Sequence, residues 1–107
     1  MHKTHNILNL DDIDFSQNKE AFQDILKHKH FSIERIVSYG QSSEDWYDQD
    51  SNEWLILLQG RATILYDNNT SIQLKKGDTL FIPAHHKHKV SYTSKRPPCV
   101  WLTVFFK

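Results

Sequence analysis

The sequence between residues 77 and 88 reads Gly77-Asp78-Thr79-Leu80-Phe81-Ile82-Pro83-Ala84-His85-His86-Lys87-His88. Gly77 predicts a tight turn, because glycine adopts backbone conformations that other residues resist. The apolar residues after it, Thr79 to Ile82, are typical of a short strand. Three histidines then follow Pro83 within five residues. The segment therefore places a turn, a strand and a histidine cluster in immediate succession.

A second segment upstream, Glu53 to Gly60, completes a paired signature that resembles the two motifs of the cupin superfamily. In the first motif of that family, a glycine is followed after five residues by His-x-His, then by a glutamate and a second glycine. This chain has Gly40, then Trp46-Tyr47-Asp48, then Glu53 and Gly60 at the corresponding spacings. The spacing is that of a cupin, but the histidine pair is replaced.

The second motif of the family is matched by the histidine-rich segment. Gly77, Pro83 and His88 occupy the usual glycine, proline and histidine positions. His85 stands where the family has a glycine, and Tyr92 stands where it has an asparagine. The resemblance covers about residue 31 to the C-terminus and implies a small single-domain cupin with an altered first metal motif.

The predicted fold is all-β, a single antiparallel cupin β-barrel of the jelly-roll type over residues 31–107. Many short strands separated by turn residues favour the same architecture independently. Residues 1–30 are predicted to form an N-terminal arm and a short helix from Ser16 to about Lys27. The helix is suggested by Phe22, Ile25 and Leu26, which are spaced three and four residues apart. We expect one structural domain overall.

The family's four metal positions correspond to Trp46, Asp48, Glu53 and His88 in this sequence. Tryptophan cannot ligate a metal, and His86 is the candidate for the missing donor. The resemblance thus implies one divalent transition metal inside the barrel, iron, manganese, nickel or zinc, a choice that suits mixed carboxylate and imidazole ligands. The alternative is a barrel that has lost its metal.

Alternation along the strand after Pro83 supports inward histidines. His86, His88 and Tyr92 share one face of an extended chain, whereas Lys87 and Lys89 share the other. Lysines prefer water, so the histidine face is predicted to point inward. His85 has the opposite parity and is expected at the rim.

Arg35 and three aromatic residues are candidates for binding a ligand. Arg35 lies on the more apolar face of residues 31–39, where a buried guanidinium needs a negatively charged partner. It could anchor an anionic ligand, pair internally with Glu53 or Asp48, or extend to the barrel mouth. Trp46, Tyr47 and Tyr92 are predicted to line a small-molecule cavity, although aromatic residues on strands are commonly core residues.

The leading functional prediction is a cupin-type small-molecule protein that binds a metal, with enzymatic activity left open. Its first rival is a metal-free binding or sensing barrel for an anionic or sugar-like metabolite. Its second is a structural domain that acts through a dimer surface. The apolar segment Val100 to Phe106 favours a homodimer.

Composition addresses partners and location. The 13 basic and 13 acidic residues balance, which offers no electrostatic case for binding nucleic acid or an acidic membrane. The polar start of the chain does not resemble a signal peptide, and the single Cys99 cannot form an internal disulfide. We therefore expect a cytoplasmic protein.

Overall fold

A computed structural model describes residues 3–107, so the first two residues of the predicted N-terminal arm lie outside the described residues. A 3₁₀ turn at Phe15–Gln17 precedes eight strands. The strands are β1 Ala21–Lys27, β2 Phe31–Ser38, β3 Asn52–Gln59, β4 Arg61–Tyr66, β5 Ser71–Lys75, β6 Thr79–Ile82, β7 His88–Thr93 and β8 Cys99–Phe106. Within residues 3–107 there is no helix long and apolar enough to cross a membrane.

The strands form two antiparallel sheets that face each other. The larger sheet has the order β1-β2-β8-β3-β6 and the smaller one the order β5-β4-β7. The all-β antiparallel prediction is confirmed, but the prediction of a closed barrel is wrong, because within residues 3–107 no hydrogen-bonded ladder joins the two sheets. The chain leaves the larger sheet at Pro83, which has no backbone N–H to donate, and enters the smaller sheet at His88.

The predicted helix between Ser16 and Lys27 is also wrong. Most of this segment is strand β1, which pairs with β2 from Ala21 opposite Val37 to Lys27 opposite Ser32. The apolar spacing that suggested a helix is too short to establish one, since isolated short helices are marginal. The edge of β2 offers backbone partners to Ala21–Lys27, and tertiary context overrides local propensity.

The core lies between the sheets and is built from alternate residues of their strands. Leu57, Ile64 and Ile82 are essentially inaccessible to solvent, and Trp101 is buried beside them. The turn between β3 and β4 requires Gly60, whose φ is +90° and where an added Cβ would lie 2.9 Å from the Cα and Sγ of Cys99. Cys99 is fully buried and packs in this core.

An outer aromatic patch, defined as Trp54, Phe81 and Phe106, lies on the opposite face of the larger sheet. Trp54 pairs with Phe81 between β3 and β6, and the rings of Phe81 and Phe106 stack with centroids 6.2 Å apart. Trp54 and Phe81 remain exposed. The patch includes one residue of the C-terminal segment on which the homodimer prediction was based.

Candidate functional site

A cavity of about 180 Å³ lies between the two sheets. Most of its wall is apolar and aromatic, including Phe22, Trp101 and Phe105. Its polar wall residues are Glu20, Tyr47, Gln49, Glu53, His88 and Thr103. No lysine or arginine is among the residues that line it. The cavity therefore combines a few convergent polar groups with apolar walls, as small-molecule sites do.

Glu53 supplies the buried carboxyl group of this cavity. It stands near the start of β3 and faces inward with Leu55, two residues further along the same strand. The Nε2 of Gln49 donates a hydrogen bond to its Oε1 at 3.1 Å. Burial raises the pKa of Glu53 to about 7, although the Gln49 bond opposes the shift, and the nearby charge of Glu34 adds to it. Glu53 therefore changes charge close to neutral pH.

His88 faces Glu53 from the smaller sheet. It begins β7 and pairs through its backbone with Tyr47, so the loop between β2 and β3 is held beside the cavity. Its Nδ1 lies 2.9 Å from the carbonyl oxygen of His86, an acceptor, which makes Nδ1 the protonated nitrogen and leaves Nε2 as an acceptor. Burial lowers the pKa of His88, so the neutral imidazole is favoured.

The two groups are close without being bonded to each other. His88 Nε2 lies 3.9 Å from Glu53 Oε1, beyond hydrogen-bonding distance. A polar atom of a bound molecule could therefore contact both. Of the predicted metal ligands, Glu53 and His88 are the two that the structure brings together.

The other two predicted metal ligands lie elsewhere. Asp48 is exposed, and its Oδ1 lies 2.9 Å from the Nδ1 of His85 at the rim. His86 is also exposed and stacks on Tyr66 with ring centroids 4.3 Å apart. The alternation of side chains along a strand predicted that His86 points inward. His86 lies before β7, which begins at His88, so this alternation does not apply to it.

The residues present do not assemble the metal site that the family resemblance implies. Among residues 3–107 no group of three or more histidine, cysteine, aspartate or glutamate side chains is arranged to hold a metal ion. Glu53 and His88 alone make an incomplete donor set for a transition metal.

Arg35 does not line the cavity, and its predicted inward orientation is wrong. Its neighbour Ile36 lines the cavity instead, so the inward face of β2 is the even-numbered one. Both faces of β2 carry apolar residues because the N-terminal arm covers the outer one. Alternation alone could not tell the two faces apart.

The guanidinium of Arg35 holds the N-terminal arm against the larger sheet. Its Nη2 contacts the two carboxylate oxygens of Asp12 at 2.9 and 3.0 Å, and its Nη1 donates to the carbonyl oxygens of Ile7 and Asn9 at 3.1 and 2.6 Å. Its Nε donates to Gln23 at 2.7 Å. Arg35 does form an internal ion pair, but with Asp12 and not with Glu53 or Asp48.

Of the three predicted aromatic wall residues, only Tyr47 lines the cavity. Trp46 is exposed, and the Nζ of Lys89 lies 4.6 Å above its ring. Tyr92 is exposed because the pairing of β4 with β7 shifts register before it, so that Tyr92 no longer shares a face with His88. Such a bulge cannot be read from alternation.

Sequence reasoning missed Thr103 as a cavity residue. It lies in β8 between Trp101 and Phe105, which share its inward face. A hydroxyl within a strand otherwise composed of apolar residues was the available signal. The helix prediction hid the approach of this segment to the cavity, through Phe22 of β1 and Glu20 just before the strand.

Comparisons with known proteins agree with this architecture. A family model described as "Cupin domain" matches residues 34–105. A solved structure from Ralstonia eutropha JMP134, described as a candidate mannose-6-phosphate isomerase, is 35% identical, covers 99% of each chain and has a TM-score of 0.89.

Two more distant structures share the fold. A cupin superfamily protein from Desulfitobacterium hafniense DCB-2 is 21% identical, with a TM-score of 0.72 over 83% of this chain and 78% of its own. A DMSP lyase from Ruegeria pomeroyi DSS-3 is 16% identical, with a TM-score of 0.73 over 85% of this chain and 48% of its own. A comparison with curated proteins finds no match.

Proposed function

The chain belongs to the cupin family, and we propose that it binds a small, uncharged polar molecule between its two sheets. Glu53 and His88 would exchange protons with this molecule. The observation that carries the proposal is the pairing of these two groups across 3.9 Å in a largely apolar cavity. The fold hosts many activities, so the proposal rests on the site.

The pair has the protonation states that acid–base chemistry needs. Neutral His88 presents an unprotonated Nε2, while the pKa of Glu53, raised to about 7, keeps a fraction of its carboxyl groups protonated at neutral pH. An acid whose pKa lies near the working pH, set beside an unprotonated base, is an efficient arrangement for proton transfer. For an enolisable carbonyl compound, His88 would accept the carbon-bound proton and Glu53 would donate to the carbonyl oxygen.

The charge of the cavity argues for an uncharged ligand. Glu20 and Glu53 line it, and no lysine or arginine does so. A negatively charged group would meet no cation there, because Arg35 is occupied by Asp12 on the other face. The Ralstonia protein is described as an isomerase, and isomerisation of a carbonyl compound is consistent with proton transfer. The phosphate group of mannose 6-phosphate, however, would meet no lysine or arginine among the residues that line this cavity. An anionic metabolite is disfavoured for the same reason.

The second candidate function is the binding of a divalent transition metal ion. It is favoured by the bond from His88 Nδ1 to the His86 carbonyl, because metal-binding imidazoles are commonly oriented in this way by their other nitrogen. Glu53 and His88 would supply two of its ligands, and the remaining ligands would have to come from water or from the bound molecule. If this candidate is right, plasma mass spectrometry of the protein loaded with iron(II), manganese, nickel and zinc will show about one equivalent of metal, and His88→Ala will abolish it. Unchanged metal content in that variant would contradict this candidate.

Proton transfer is tested by hydrogen exchange into hydroxyacetone in deuterated buffer, followed by proton NMR. The protein should accelerate exchange next to the carbonyl, and Glu53→Gln and His88→Gln should each lower this rate by about 100-fold or more. The matched control is His85→Gln, since His85 is exposed at the rim and should not contribute. Equal exchange rates for the wild-type protein and Glu53→Gln would refute the proposal.

A further inference from the structure

We infer that Thr103 determines ligand specificity: its hydroxyl binds a second polar group of the ligand, deeper in the cavity than Glu53 and His88. The ligand class is thereby narrowed to small uncharged molecules with two polar groups separated by a short carbon chain. This inference rests on the proposed function, because it requires that the same cavity bind an uncharged molecule.

The hydroxyl of Thr103 has no hydrogen-bond partner among the protein's described residues. Thr103 is 1% exposed, and its Oγ1 is buried without a partner although the residue lines the cavity. In the part of the chain that the structure describes, the one other buried side-chain polar atom in this state is Nε2 of Gln41, which does not line the cavity. Buried hydroxyls are nearly always hydrogen-bonded, so an unpartnered one on a residue that lines a cavity points to a ligand group as its partner.

The sheet register sets the spacing between the two polar positions. Thr103 lies opposite Leu55, whereas Glu53 lies opposite Phe105. Thr103 is therefore one two-residue repeat further along the sheet than Glu53, a separation of about 7 Å. Trp101 and Phe105, its inward neighbours on β8, supply apolar walls. A ligand with a polar group at each end and a short carbon chain between them would match this order of polar and apolar walls.

A structural role for the hydroxyl is not supported by its surroundings. Thr103 contacts its sheet neighbours through backbone bonds that any residue can make, and its Oγ1 makes no bond within the protein. Valine has almost the same shape without the cost of burying an unpaired hydroxyl. The stability of the free protein would thus be served at least as well by valine.

The first test compares the melting temperatures of Thr103→Val and Thr103→Ser. Thr103→Val should melt at the wild-type temperature or above, because it removes the unpaired hydroxyl and keeps the packing. Thr103→Ser should melt lower, because it keeps the hydroxyl and loses a buried methyl group. A fall of more than about 5 °C in Thr103→Val would show that the hydroxyl is structural, and would overturn the inference.

The second test measures the binding of two ketones by NMR titration. 4-Hydroxy-2-butanone has two polar groups, and 2-butanone has one. Thr103→Val should weaken binding of 4-hydroxy-2-butanone by about tenfold, the effect of one lost hydrogen bond, and leave binding of 2-butanone unchanged. Glu53→Gln should weaken both.

The outcomes separate the inference from the proposed function. If Thr103→Val binds both ketones as the wild-type protein does, while Glu53→Gln binds them less tightly, the inference is wrong and the proposed function stands. If neither ketone binds the wild-type protein, the proposed uncharged carbonyl ligand and the role of Thr103 both fail.

Discussion

The substitution Glu53→Gln is expected to stabilise the protein at alkaline pH and to leave its stability nearly unchanged at acid pH. Glu53 is 7% exposed, and its one side-chain hydrogen bond within the protein comes from Gln49. Burial raises its pKa from 4.5 to about 7 in the folded protein. Glutamine has the same shape and never ionises, so the substitution removes the cost of charging this position.

The sign and size of the effect follow from proton linkage. The unfolded chain loses the Glu53 proton near pH 4.5, whereas the folded protein keeps it until about pH 7. Between these values the folded state binds more protons, so wild-type stability falls as the pH rises. The difference between a pKa of 4.5 and one of about 7 corresponds to about 3 kcal/mol of unfolding free energy. The wild-type protein loses this stability once the pH has risen above the pKa of Glu53 in the folded state.

His88 contributes with the opposite sign. Its pKa is lowered in the folded protein, so its contribution is present above pH 6.5 and is lost as the pH falls below that value. Because the wild-type protein and Glu53→Gln share His88, subtracting their unfolding free energies isolates Glu53 to first order.

Urea denaturation followed by tryptophan fluorescence measures this difference, with the buried Trp101 among the reporters. At pH 8.5 the unfolding free energy of Glu53→Gln should exceed that of the wild-type protein by about 3 kcal/mol, and at pH 4.5 the two should nearly agree. Asp50→Asn is the control for removing a carboxylate elsewhere, since Asp50 is exposed and does not line the cavity. A difference that is equal at both pH values would refute the reasoning.

Three further predictions concern the scaffold. Arg35→Met should lower the unfolding free energy by about 2 kcal/mol in urea denaturation and speed proteolysis of the N-terminal arm, because the arm's hydrogen bonds to the guanidinium are lost; an unchanged cleavage rate would contradict this. Gly60→Ala should lower the unfolding free energy by at least about 3 kcal/mol, because it brings both backbone strain and a clash. Gly77→Ala should lower it by only about 1 kcal/mol, because its Cβ would meet nothing within 4 Å. Equal losses of unfolding free energy in urea denaturation would contradict the clash at Gly60. The homodimer stays a prediction: light scattering should give twice the 12.7 kDa chain mass, and Phe81→Glu in the outer aromatic patch should give a monomer; a monomeric wild-type protein would end it.

The linear sequence was sufficient to predict the family, and it predicts a site at Glu53 and His88, which the fold brings to within 3.9 Å of each other. The motif spacings depend only on chain position, and they predict Glu53 and His88 as site residues. Strand composition and turn residues likewise predicted an all-β antiparallel protein. These features are local, because alternation, turn chemistry and motif spacing are written within short segments.

The tertiary structure decided which faces and neighbours those residues have. The N-terminal arm covers the outer face of β2 and places Arg35 away from the cavity. A register shift turns Tyr92 outward, and a turn that lies before β7 leaves His86 on the surface. Each of these outcomes depends on pairing between segments distant in sequence, and hence on contacts that no single segment encodes. For the same reason, Thr103 lines the cavity because the sheet places β8 between β2 and β3.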